Sequence, residues 1–213
     1  MNVIIFGPPG AGKGTQAQNL VNKFNLYQVS TGDLLRLEIK EKSEIGKKIE
    51  KVISQGDFVK DDIVNELLNK VITNPNYKNR IIFDGYPRNI NQAENLEIML
   101  NSNNQSINFI LFLKVPREII KKRILGRIVC EKCNKTMNEY FDEKEIDTHT
   151  CGKNYLKKRK DDNQDTIVTR YDEYMIKTKP VLDFYSSRSY FHEIDGNQKI
   201  QVITGKIEDI LKV

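Results

Sequence analysis

GPPGAGKGT, residues 7–15, follows the apolar run NVIIF (2–6) and precedes Ala17, Leu20, Val21 and Phe24, spaced as one face of a helix. A strand, a glycine-rich turn, a lysine and a helix in that order make a phosphate loop. The backbone N–H groups of the turn form a nest, the positive end of the helix favours an anion, and Lys13 reaches the outer phosphates. One residue departs from the usual pattern. A hydroxyl normally follows the lysine and ligates Mg²⁺, whereas here Gly14 follows it and Thr15 comes one place later. Mg²⁺ then needs another anchor, and Asp84, at the end of the predicted strand RIIFD, is placed to hold it through water.

Around the loop, short apolar runs alternate with helical periodicity. LYQVS (26–30), residues 80–84, INFILFLKV (107–115) and KIQVI (199–203) read as strands. The run at 107–115 is apolar enough to be buried on both faces. Helices are predicted over TGDLLRLEIK and SEIGKKIEKVISQG, with Thr31 and Ser43 as N-caps, and over 61–72, 91–102, 116–125 (opened by Pro116), 162–187 and 207–212. This alternation predicts an α/β fold with a parallel five-stranded sheet flanked by helices. From Arg127 to Asp162 the periodicity fades and Cys, Thr, Asn, Glu and Lys crowd together, which reads as a small inserted domain of short strands.

Composition narrows the function. The chain has 213 residues, 38% hydrophobic and 30% charged, and a net charge of +5 that suits nucleotides or nucleic acid. It has no apolar run long enough to span a bilayer, and MNVIIFGPPG does not resemble a secretory leader. A cytoplasmic location without membrane association is therefore expected. Lysines far outnumber arginines. Each arginine therefore draws notice, because only the guanidinium forks onto a phosphate in two places.

GPPGAGKGTQA (7–17) followed by DGYPR (84–88) resembles the adenylate kinases, within the nucleoside monophosphate kinases, and the resemblance runs over nearly the whole chain. That family carries GKGT, so the resemblance accounts for Gly14. It implies a core of residues 1–29, 60–126 and 163–213, a helical acceptor-binding domain over 30–59 and a lid over 127–162. The implied reaction transfers a phosphoryl group from MgATP to AMP, in a monomer that needs no nucleic acid. ATP contacts are implied at Gly10, Ala11, Gly12, Lys13, Gly14, Thr15, Arg123, Arg127, Thr136, Met137 and Gln198. AMP contacts are implied at Thr31, Arg36, Asp57, Phe58, Val59, Gly85, Tyr86, Pro87, Arg88, Gln92, Arg159 and Arg170. Lys13, Arg88, Arg123, Arg127, Arg159 and Arg170 are expected around the transferring group, where alignment and positive charge do most of the work. Phe58 and Lys60 depart from the Leu and Pro usual there, and Thr136-Met137 stands where an aromatic is common.

C-E-K-C (130–133) and Cys151 lie in the predicted insert. Two thiolates on one knuckle and a third from another suit structural Zn²⁺, as in the lids of many bacterial relatives. The fourth ligand is open between His149, chemically the better, Asn154, which takes the usual position, and Asp147.

Three other readings compete. A UMP, CMP or GMP kinase is disfavoured by the long lid and by Thr31, Arg36 and Gln92. A GTPase switch would need N-K-x-D, which is absent from the sequence. A zinc-ribbon nucleic-acid binder would leave residues 7–15 without a use.

Overall fold

The computed structural model describes residues 1–212 except Gly56, Phe58 and Lys160. The central sheet runs in the order β2-β3-β1-β4-β8, with every neighbouring pair parallel. Its strands are β1 (Asn2–Phe6), β2 (Tyr27–Ser30), β3 (Ile81–Asp84), β4 (Ile107–Lys114) and β8 (Phe191–Asp195). The helices of the core are α1 (Lys13–Phe24), α4 (Asp61–Ile72), α5 (Ile90–Ser102), α6 (Arg117–Leu125), α8 (Gln164–Glu173), α9 (Lys179–Ser186) and α10 (Ile200–Leu211). Between β2 and α4 lie α2 (Thr31–Lys40) and α3 (Glu44–Gln55). Residues 127–157 add a three-stranded antiparallel sheet of β6 (Thr136–Asn138), β5 (Arg127–Cys130) and β7 (Leu156–Lys157), with the short α7 (Glu143–Asp147).

β1 sets the two cores apart. Its side chains alternate across the sheet: Ile4 and Phe6 pack with Leu96, Leu100, Val181 and Tyr185, whereas Val3 and Ile5 pack with Leu20, Ile203 and Ile207. Both faces are covered, so the strand reads as an unbroken apolar run. Truncating Ile4, which is fully buried, to Ala costs about 2–5 kcal/mol.

Two expectations are corrected. KIQVI is not a strand but the first turn of α10. Ile203, Ile207 and Leu211 are buried at four-residue spacing, while Ile200 and Val202 are exposed. The β-branched residues imitate a strand, but packing follows the 3.6-residue period. The fifth strand is instead Phe191–Asp195, an edge strand whose polar alternation hides it in the sequence. The second correction concerns Thr31, which does not cap α2. Ser30 does, its Oγ accepting from Asp33 N at 3.2 Å, while Ser43 Oγ accepts from Gly46 N as expected of a cap for α3.

The C-terminal ends of the parallel strands all open on one edge. β1 leads into the glycine loop, β2 into α2 and β3 into Asp84-Gly85. The order reverses at β1, whose neighbours are β3 and β4, and a crevice at such a point is where open α/β sheets take ligands. Among the described residues, no helix is long and apolar enough to cross a membrane.

Candidate active site

The glycine loop closes α1 without a side-chain cap. Gly10 and Gly12 take φ of 76° and 93°, which only glycine adopts at low cost, and no side chain caps the first turn. The amides of Lys13, Gly14 and Thr15 are thus left for an anion. Lys13 Nζ folds back to donate to the carbonyls of Gly7 (2.8 Å) and Pro8 (3.1 Å). Removal of the ammonium from water, with Arg88, Arg170 and Arg127 nearby, pushes its pKa down to about 8 despite Asp84. A Cβ on Gly14 would lie 3.4 Å from Asp84 Oδ2. A side chain at position 14 would thus stand in contact with the candidate Mg²⁺ acid. Asp84 accepts from Gln28 Nε2 at 3.1 Å, and burial raises its carboxyl pKa against the pull of Lys13.

A cavity opens beside the loop. Its lining includes the charged Lys13, Arg36, Arg88, Arg170 and Asp161 and the apolar Leu35, Ile53, Val59 and Pro87. Asp57, Gly85, Tyr174 and Thr178 also line it. The charged groups suit phosphate and the apolar ones a flat, largely apolar ring. Phe58, expected here, lies outside the described residues.

Arg88 is held along its length. Its N–H donates to Gln92 Oε1 at 2.7 Å, its Nε to Gly85 O at 2.7 Å, and its carbonyl accepts from Thr178 Oγ1 at 3.0 Å. Thr31 Oγ1 donates to the same Gly85 carbonyl at 3.0 Å. Gln92 is buried, and its Nε2 donates to Asp61 Oδ1 at 2.6 Å. Tyr86 turns into the core, its hydroxyl donating to Asn65 Oδ1 at 2.8 Å. The structure thus uses Gln92 and Tyr86 to brace the DGYPR turn. Pairing of Gln92 with a base edge would use the remaining hydrogen-bonding capacity of its amide.

The other arginines arrive from separate segments. Arg127, at the start of β5, forks onto Asp162, with Nε donating to Oδ2 at 2.7 Å. Arg170 on α8 donates to Asp161 Oδ2 at 3.2 Å and Asp162 Oδ1 at 3.1 Å. Arg159 lies 3.5 Å from Asp33, and Arg36 lies 3.8 Å from Asp161. Burial, reinforced by neighbouring guanidinium groups, pushes Arg88 and Arg159 down to about 10. Burial alone would also depress Arg127, but Asp162 outweighs it and raises the pKa. Such crowding of cations calls for a polyanion. Arg123 sits apart, donating to Ala11 O at 3.4 Å and Gly196 O at 3.0 Å, so it spans the glycine loop and the turn carrying Gln198. Gln198 is exposed and donates to Asp195. In β6, Thr136 is half-buried and Met137 is buried across from Ile128.

Asp33, Leu35, Ile53, Tyr174 and Thr178 were not singled out from the sequence. Asp33 and Leu35 stand inside the quoted STGDLLR and were within reach. Tyr174 and Thr178 depend on a helix irregularity that periodicity does not reveal.

In the antiparallel insert, Cys130, Cys133, His149 and Cys151 bring their ligand atoms within 4.8 Å of one another, and Cys133 Sγ lies 3.6 Å from His149 Nε2. Four donors in tetrahedral contact with Zn²⁺ would stand about 3.4–3.8 Å apart, so the set fits with a small contraction. Burial alone would push the Cys130 thiol up. Hydrogen bonds from His149 and from the backbone at Cys133 and Lys132 outweigh it, bringing the pKa down to about 6. Asp147 is taken by Lys153 at 2.6 Å, and Asn154 is exposed. His149 completes the group of four.

The adenylate kinase family profile matches residues 5–190. The adenylate kinase of Pelagibacter ubique (strain HTCC1062) is 60% identical over 213 residues, all of both chains. That of Erythrobacter litoralis (strain HTCC2594) is 39% identical over 214 residues, again all of both chains. That of Listeria monocytogenes serotype 4b (strain CLIP80459) is 36% identical over 213 residues, 99% of each. With a glycine loop, an arginine-lined cavity and full-length similarity of this kind, the chain belongs to the adenylate kinase family.

Proposed function

We propose that the cavity and the glycine loop beside it are the two halves of one phosphotransfer site, with MgATP on the loop and AMP in the cavity. Membership of the family makes the chain a nucleoside monophosphate kinase catalysing MgATP + AMP ⇌ 2 ADP. The observation that carries the residue assignment is the convergence of Lys13, Arg36, Arg88 and Arg170 on one cavity, with Arg127 and Arg159 joined to the same acids.

In this reading, residues 10–15 and Lys13 hold the donor phosphates, while Arg123 and Arg127 cover them from α6 and β5. Thr136, Met137 and Gln198 flank the donor adenine. Arg36 and Arg88 fork onto the AMP phosphate, and Thr31, Gly85 and Gln92 fix the turn that presents Arg88. Leu35, Ile53 and Val59, with Asp57 beside them, face the adenine. Arg159 and Arg170 meet the group in flight, whose charge spreads over three oxygens. Asp161 and Asp162 serve as counter-ions until phosphates replace them. Asp84 would hold the Mg²⁺ that accompanies ATP, and the ion would supply positive charge to the phosphates.

The core, acceptor domain and lid divide at 30–59 and 127–162. Closure keeps water from the reacting phosphate. One chain supplies every group named, in keeping with a monomer. Structural Zn²⁺ held by Cys130, Cys133, His149 and Cys151 would cross-link the knuckles of the lid and take no part in transfer.

The test is a substrate panel. MgATP with AMP should yield two ADP for each AMP consumed, and GMP, CMP and UMP should react poorly. Efficient transfer to another monophosphate would move the acceptor assignment while keeping the site.

A further inference from the structure

The helix that carries Arg170 is irregular at one place. Residues Tyr174–Thr178 form a π-turn between α8 and α9, closed by Lys179 N–H donating to Tyr174 O. The local sequence explains it. Pro180 stands in the first turn of α9, where it has no N–H for an α-type bond and its ring crowds the carbonyl four residues back. The consequence is geometric. Residues four apart on an α-helix drift by about 40° around the axis. A wider turn reverses that drift. Arg170, Tyr174 and Thr178, at successive four-residue steps, all line the same cavity, and Tyr174 and Thr178 are buried there.

Thr178 then does something specific. Its Oγ1 donates to the carbonyl of Arg88 at 3.0 Å, while Gln92 Oε1 accepts from the N–H of the same residue at 2.7 Å. We infer that Thr178, aimed by the π-turn, is a positioning residue that fixes the backbone of Arg88 and so sets where its guanidinium meets the acceptor phosphate. The inference rests on the reading of the cavity given above, and it adds a residue that touches neither nucleotide's reacting atoms.

Thr178→Val keeps the β-branched shape and removes the donor, whereas Thr178→Ser keeps the donor. With AMP varied at saturating MgATP, Thr178→Val should raise the KM for AMP about fivefold, the loss of one hydrogen bond. The KM for MgATP should stay within about twofold, and Thr178→Ser should return the KM for AMP to within about twofold of the parent. AMP titration without ATP should show the same order of affinities. A parental KM for AMP in Thr178→Val overturns the inference, even if the melting temperature falls. So does an equal rise for AMP and MgATP that Thr178→Ser fails to rescue. Should Thr178→Val not fold, Thr178→Cys, which matches Ser in size but is a weak donor, is compared with Thr178→Ser on the same criteria. Failure of the parent itself to transfer to AMP would instead remove the reading of the cavity, and this inference with it.

Discussion

Arg36 Nη1 lies 3.8 Å from Asp161 Oδ2, which joins α2 to the loop between β7 and α8, and both side chains line the cavity. Asp33 and Arg159 repeat the contact in the opposite sense at 3.5 Å. These two pairs tie α2 to the segment between β7 and α8. Asp161→Asn should therefore loosen the ligand-free protein, increasing its radius of gyration in solution scattering. Bound AMP and a non-hydrolysable ATP analogue should erase the difference, because phosphates then bridge the arginines. Burial opposes ionisation of Asp33 and Asp161, but the surrounding arginines outweigh it and hold both carboxyls below the usual range. A depressed carboxylate contributes stability above its unfolded pKa of about 3.9 and loses it as pH falls through the folded value. The same loosening should thus appear on acidification below about pH 4 and be absent between neutral and mildly alkaline pH.

Burial of the Lys13 ammonium carries a cost in stability. With its pKa lowered to about 8, the folded state holds fewer protons than the unfolded chain between that value and the usual lysine value. Stability therefore rises with pH over this window, and at pH 7 the buried charge is destabilising. Lys13→Met should stabilise the ligand-free protein at pH 7 by about 1–3 kcal/mol while abolishing transfer. Phosphate should restore the proton, so calorimetric titration with ATP near pH 8.5 in buffers of different ionisation heat should register proton uptake by the parent and none by Lys13→Met.

Arg88→Lys keeps the charge and loses the planar fork, together with the bond from Nε to Gly85 O. The turnover number should fall by about 10²–10⁴, with a smaller change in the KM for MgATP, measured by initial rates of ADP formation.

The Cys130, Cys133, His149 and Cys151 group predicts one zinc per chain by elemental analysis of protein purified without added chelator. His149→Ala should weaken zinc binding by at least about 100-fold and lower the melting temperature. Asn154→Ala should change neither. At temperatures where residues 127–162 stay folded, His149→Ala should retain most of its turnover, as the structural role proposed for the metal requires.

Much of this was legible in the sequence for physical reasons. The glycine loop had to follow a strand and open a helix, and it does; β1 and β4 announced themselves because both their faces are buried. The edge strand at Phe191–Asp195 was missed because half-exposed strands carry polar residues, and KIQVI imitated a strand because β-branching is a weaker guide than periodicity. His149 is chemically preferable to Asn154 as a ligand, and it lies beside Cys133. What the sequence could not give was partnership. Asp161 and Asp162 were adjacent acids with two open roles, until folding set one against Arg36 and Arg170 and the other against Arg127. The π-turn was hidden for a similar reason: Pro180 signals irregularity, but not that the irregularity would aim Thr178 at Arg88.

In the proposed function the loop and the cavity form one closed site in which phosphoryl passes to AMP and not to water. The most direct measurement follows ADP and inorganic phosphate together from MgATP, with and without AMP. ADP should form rapidly only when AMP is present, at two ADP per AMP, with phosphate release slower by at least about three orders of magnitude. Phosphate release at a comparable rate, or ADP formation indifferent to AMP, would contradict it.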